Sequence, residues 1–212
     1  MKKWLKRLGI AALVIAITLA AGRVVLLRAA VAHMNEAPLG QFVGPEDAKN
    51  VIVEFLDYRC PACRSTHPEV MAFHRAHPDV KIVFRHLPIF GDPSIYEAHL
   101  VLAAGLNGKF VEMQEILFSR EEAVTDADLP EIARELGLDP DGLRADIRSI
   151  PVMKEVLWSV LAAYGLKVRG TPAFTFNGAL LTENSDLERA LREIGGQSQM
   201  STPPENPPAT QE

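Results

Sequence analysis

Cys60 and Cys63 are the only cysteines among 212 residues, and they stand in a single Cys-Pro-Ala-Cys run. A ring this small removes little chain entropy, so the pair is a poor staple and is better explained by reactivity. The run lies where a β-branched and aromatic segment, Val51–Asp57, feeds a helical pattern that starts at Cys60 with Pro61 in its first turn. A helix N-terminus offers free backbone N–H groups and the positive end of the dipole, and both favour a thiolate over a thiol at Cys60. Arg59 adds a neighbouring positive charge. The chemistry this suits is thiol–disulfide exchange. Cys60 forms a mixed disulfide with a substrate cysteine, and Cys63, one turn further on and more shielded, resolves it.

A lone Cys-x-x-Cys is also half of a zinc site. The chain has no second cysteine pair, but His67 follows Cys63 on the same predicted helix and could supply a third ligand. An extracytoplasmic metal-binding chaperone using Cys60, Cys63 and His67 is therefore the alternative of a different class. The exchange chemistry itself calls for no cofactor. His74, His77, His86 and His99 are read as packing or surface residues.

The elements that must position the cysteines follow from periodicity. Val51–Asp57 reads as a buried strand, Cys60 to His77 as a helix and Val80–His86 as a second strand, which together make a βαβ unit. Residues 94–165 read as helical. Ser94 is expected to cap a helix to Leu106, and Phe110, Met113, Ile116 and Leu117 follow helical spacing. Asp128 before Pro130 and Asp139 before Pro140 mark two further helix starts. Val152, Val156, Val160 and Tyr164 form the last stripe, expected to be core and closed by Gly165. Ala173–Phe176 and Ala179–Thr182 flank Asn177-Gly178, a hairpin signal. Ser185 or Asp186 is expected to cap a final helix to Ile194, and the proline-rich Gln197–Glu212 is expected to be disordered.

Charge divides the chain. Residues 1–28 hold six basic residues and no acid, leaving 16 of the 22 basic residues against all 27 acidic ones, a formal net charge of −11. An acidic body without a basic stripe argues against a nucleic-acid partner. Met1–Arg7 is positively charged, and Leu8–Leu27, interrupted only by Arg23, is about as long as a bilayer-crossing helix needs to be. This is a signal or an anchor. Ala30-Val31-Ala32 has the form of a cleavage site but lies late, and an anchor is the preferred reading. The positive-inside rule then puts the acidic domain outside the cytoplasm, in a compartment that permits disulfides. His33–Asn50 reads as a short polar connector, too short for a dimerisation module.

Three segments together carry a resemblance. Val53-Glu54-Phe55-Leu56-Asp57-Tyr58-Arg59-Cys60-Pro61-Ala62-Cys63 is similar to the active-site stretch of DsbA-like thiol–disulfide oxidoreductases. Phe84-Arg85-His86-Leu87-Pro88-Ile89-Phe90 resembles their second strand and the loop after it, and Gly170-Thr171-Pro172-Ala173-Phe174 resembles the loop that carries the family's cis-proline. The similarity runs over about residues 40–195. It implies an α/β thioredoxin fold with an inserted helical domain, preceded here by the anchor or signal helix. The expected division is 1–28 signal or anchor, 29–50 linker, 51–93 and 166–195 thioredoxin-fold halves, 94–165 insertion and 196–212 tail. It further implies a cis Pro172 beside Cys60, a Thr171 backbone that pairs with substrate, and a buried-acid position at Glu54, where burial in a strand should raise the pKa and could serve a proton relay. A solvated, edge-facing Glu54 is the competing expectation. The implied enzyme exchanges disulfides with cysteine-containing exported proteins, as an oxidase or alternatively as a reductase or isomerase, and a membrane redox partner regenerates it. The Pro-Ala dipeptide differs from the Pro-His or Pro-Tyr of better-known oxidases. A monomer is expected.

Overall fold

The computed structural model describes residues 2–181, so the helix expected to end at Ile194 and the tail after it lie outside the described residues. Among the described residues five strands form one sheet: β1 (Phe42–Val43), β2 (Val51–Leu56), β3 (Lys81–His86), β4 (Ala173–Phe176) and β5 (Ala179–Leu180). Their order is β1-β3-β2-β4-β5, with β2 and β3 parallel and every other pair antiparallel. Helix α2 (Pro61–Ala76) connects β2 to β3, and α1 (Lys2–His33) precedes them. Between β3 and β4 the chain passes through α3 (Asp92–Leu106), α4 (Phe110–Ser119), α5 (Leu129–Leu136), α6 (Pro140–Ile147) and α7 (Ile150–Leu166). A βαβ unit, a helical block and a hairpin thus follow one another, as in a thioredoxin-like fold with inserted helices. The hairpin turns on Asn177 and Gly178, both with positive φ, as a two-residue type I′ connection requires.

Strand alternation sorts the core into two faces. Ile52, Leu56, Ile82 and Phe84 join a cluster that contains Cys60, Cys63 and Val70. Val53, Phe55 and Val83 point the other way and pack with Ala30 of α1, Met34 just after it, and Ala162 and Ala163 of α7. The last turns of α1 therefore complete the core on that face. Gly165 allows the approach: a Cβ there would lie 3.0 Å from Val31 Cγ2 and 3.4 Å from the Leu27 carbonyl.

The same alternation aims Arg85 at α1 and α7. Its Nε donates to the Met34 carbonyl at 2.9 Å, and its Nη2 donates to the carbonyls of His33 and Glu36. Its Nη1 pairs with Glu155 on α7, which also accepts from Gln41 at 2.6 Å and contacts His33 at 3.1 Å. Arg85 and Glu155 are both buried. Removing one partner strands a buried charge, so Glu155→Ala should cost roughly 3 kcal/mol or more of unfolding free energy. Denaturant unfolding of the variant beside the parent checks this, and a cost below half that value would show the knot to be unimportant.

Four sequence expectations need correction. The connector contains β1, which pairs with β3 and is too short to show a period. Ser94 does not cap α3: Gly91 stands at the cap and Ser94 is buried in the first turn. Gly165 lies inside α7, which ends instead at Lys167 in the left-handed region. The α7 stripe divides, with Val152 and Val156 buried but Val160 and Tyr164 exposed.

Candidate active site

Parallel strands β2 and β3 end side by side, and the turn after β2 places Cys60 at the head of α2. The Cys60 N–H donates to the Asp57 carbonyl at 3.0 Å, and the Cys60 carbonyl accepts from Arg64 N–H at 3.1 Å. Pro61 occupies the first helical position, where its missing N–H costs nothing. Asp57 ties the turn to the loop after β3. One carboxylate oxygen accepts from the Arg59 N–H at 2.8 Å, and the other accepts from the N–H groups of Ile89 at 2.7 Å and Phe90 at 3.2 Å. Ile89 and Phe90 are half exposed beside the turn.

Thr171 and Pro172 come to this head from the far end of the sequence. The Thr171–Pro172 peptide is cis, and Cys60 Sγ donates to the Thr171 carbonyl at 3.3 Å. Both cysteines are free, Cys60 at 4% exposure and Cys63 at none. Burial pushes the Cys63 thiol far above the ordinary cysteine range, and the nearby charges of Glu54 and Cys60 act in the same direction.

Glu54 sits between Ile52 and Leu56 on the strand face that packs toward the cysteines. It is completely buried, neither carboxylate oxygen has a hydrogen-bond partner, and burial raises its pKa to about 8. The edge-facing, solvated alternative is thereby overturned. Glu54 is a neutral acid at neutral pH, close enough to Cys63 for their charges to interact.

The metal reading loses its third ligand. Among the described residues no group of three or more His, Cys, Asp and Glu side chains could hold an ion. His67 turns its ring to α4, with Nε2 at 3.0 Å from Glu115 and Nδ1 at 3.4 Å from the Gln114 amide. Gln114 continues to the Tyr58 hydroxyl, which also meets His86 Nε2 at 3.1 Å. Burial lowers the His86 pKa to about 3, so this ring is neutral.

Sequence reading missed two further residues at the site. Asp57 stitches two loops, and an acid closing a buried strand just before a turn was the available signal. Glu97 on α3 is buried, accepts from Val124 N–H at 3.0 Å and lies 3.7 Å from Arg59. Its helical position gives no sign of this.

Residues 51–195 match the family model described as a DSBA-like thioredoxin domain. Among solved structures, a thioredoxin-like oxidoreductase from Silicibacter pomeroyi is 31% identical, with TM-score 0.68 over 77% of this chain and 96% of that one. The thiol–disulfide exchange protein alpha-DsbA2 from Wolbachia pipientis shares the fold at 21% identity and TM-score 0.68, covering 82% of this chain and 98% of that one. A periplasmic thioredoxin-like protein from Salmonella enterica serovar Typhimurium does so at 24% identity and TM-score 0.64, covering 79% of this chain and 95% of that one. A curated relative, the Na(+)/H(+) antiporter NhaA 3 of Salinispora tropica, is 33% identical over 138 residues, which are 64% of this chain and only 21% of that protein. The chain thus spans about a fifth of the length of the curated relatives it matches.

Proposed function

The chain belongs to the DSBA-like thioredoxin-domain family of protein-disulfide oxidoreductases, and from that premise we propose that it is an oxidase that passes a Cys60–Cys63 disulfide to exported proteins. The observation that carries this reading is the pairing of a sulfur at a helix head with a fully buried sulfur that feels the charge of a buried acid. A substrate thiolate attacks Cys60 Sγ, the Cys60–Cys63 bond breaks, and Cys63 leaves. Its high pKa makes it a poor leaving thiolate, and Glu54, neutral at pH 7 and without a direct hydrogen-bond partner, supplies the proton through a bridging water. A second substrate thiolate then attacks the substrate sulfur of the mixed disulfide and releases Cys60 at the head of α2. Two electrons enter the enzyme, and a membrane redox partner removes them.

Thr171 and Pro172 form the other wall of the site. The Thr171 backbone is offered to an extended substrate chain, and Ile89 and Phe90 give that chain's apolar side chains a surface. The loop held by Asp57 keeps this surface level with Cys60.

The protein works outside the cytoplasm and keeps its N-terminal helix. Ala12–His33 is long and apolar enough by length and composition to cross a membrane, and because its end from Leu27 packs on the domain, the bilayer would take the part of α1 that precedes Leu27. Retention is supported by the knot around Arg85: cutting at Ala30–Ala32 would divide a helix whose last turns fill the core and whose end is held by a buried guanidinium.

Equilibration with glutathione buffers tests the direction of transfer. An oxidase reading expects a reduction potential above roughly −200 mV, within the range of oxidising family members, whereas a value near about −270 mV would assign the reductase role instead.

A further inference from the structure

A cavity of about 480 Å³ opens in the inserted helices, between the first two turns of α3, the end of α6 and the start of α7. Natural ligand sites have volumes of this order. Ile95, Ile147 and Met153 give it an apolar lining. Much of its polar lining is already matched. The Tyr96 hydroxyl donates to Asp126 Oδ1 at 2.9 Å, and Arg144 pairs with Asp126 at 3.6 Å and with Asp141 at 2.8 Å. Arg148, the C-cap of α6, lines the same cavity with its charge unspent. It is exposed, its guanidinium has no hydrogen bond or ion pair among the described residues, and its charge is felt at the Tyr96 hydroxyl. Asp92 is exposed in the first turn of α3, where the helix end and water already accommodate a carboxylate.

Two connections join the cavity to the redox turn. The first is α3 itself, which starts two residues after Phe90, whose N–H is held by Asp57. The second is the chain from Glu121 to Asp126. Arg59, next to Cys60, bonds the Glu121 carbonyl and lies 3.7 Å from Glu97, which accepts from Val124 N–H at 3.0 Å, and Asp126 follows two positions later at the cavity. Four residues of extended polypeptide span ~13 Å, more than the ~11 Å that α3 climbs from Asp92 to His99. A substrate chain that crosses the Ile89 and Phe90 surface therefore meets the cavity within a few residues of its cysteine.

We propose that the cavity is a second subsite for the substrate polypeptide, taking a large apolar side chain whose neighbour in sequence is an Asp or Glu that pairs with Arg148. The proposal rests on the exchange reading of the preceding section and adds a sequence preference to it. Ile95, Ile147 and Met153 select the apolar residue, and the unpaired guanidinium selects the sign of the charge beside it. Continuity with the Cys60 surface makes the occupant a segment of the chain already engaged there.

Single-cysteine peptides test this on the oxidised full chain in detergent. Each carries Phe-Glu, Phe-Lys or Ser-Ser five residues before or after its cysteine, and each rate of reduction of the protein is divided by the same protein's rate with dithiothreitol, which is too small to span both sites. The Phe-Glu peptide of one series should react several-fold faster than its Phe-Lys and Ser-Ser partners. Arg148→Glu should invert the preference toward Phe-Lys, a change that loss of packing alone would not produce, and Ile95→Trp, which fills the cavity mouth, should bring the three peptides to one rate. Failure of dithiothreitol and every peptide to reduce the native protein overturns the exchange reading and the subsite with it. Normal reduction by dithiothreitol with three equal peptide rates, or a Phe-Glu preference that Arg148→Glu does not invert, overturns the subsite while exchange stands.

Discussion

Cys60→Ala abolishes disulfide exchange, while Cys63→Ala yields a protein that attacks and then stalls. The first effect should be roughly a thousandfold or more in rate, the scale of losing a nucleophile. Cys63 cannot substitute for Cys60, because it has no exposed surface and its thiol is held protonated by burial. The Cys63→Ala protein still has a sulfur at the helix head beside the Thr171 carbonyl. Given an oxidised peptide, it should form the mixed disulfide and accumulate it, since no second thiol in the chain can displace the substrate. Non-reducing mass spectrometry reads both outcomes. Adducts on the Cys60→Ala protein, or none on the Cys63→Ala protein, would reverse the assigned order of attack.

Glu54→Gln should make the protein more stable and slower. Below the ordinary carboxyl pKa of 4.5 the folded and unfolded states both carry the proton, and Glu54 contributes nothing to the pH dependence. Between 4.5 and about 8 the unfolded chain releases its proton while the folded chain keeps it, so stability falls as pH rises. Above that window the full cost of a buried, unpartnered carboxylate is present. At ~1.4 kcal/mol per unit, the cost is on the order of 5 kcal/mol. The neutral amide escapes it, so the stability difference between variant and parent should be near its minimum at pH 4 and widen steadily toward pH 9. Denaturant unfolding across that range measures it, and a difference that does not change with pH would mean that Glu54 is already ionised or is not buried. Turnover should fall on the order of a hundredfold, the usual contribution of a placed proton donor, and lose its inflection near pH 8.

Local chemistry explains what was legible in the chain. Cysteine, proline and a β-branched run before them announce a helix head and what sits on it. Asn177-Gly178 announces a two-residue hairpin because both positions need positive φ. Glu54 was half legible: a carboxylate in an apolar strand is either buried or on an edge, and only the neighbours Phe84 and Phe174 on both sides decide the matter. Long-range partnerships left no trace. Arg85 meets Glu155 70 positions later, and Gln41 meets it from 114 positions away. The α7 stripe shows why periodicity stops short. Spacing reports which residues share a face, and it placed Val152 and Val160 on one stripe, but it does not report what covers that face.

Exchange depends on a division of labour between two sulfurs one helical turn apart, and a brief alkylation pulse on the reduced native protein tests that division directly. Iodoacetamide at neutral pH, followed by peptide mapping, should find Cys60 carboxamidomethylated in nearly every singly modified molecule and Cys63 modified only after denaturation. Labelling that falls first on Cys63, or equally on both, would contradict it.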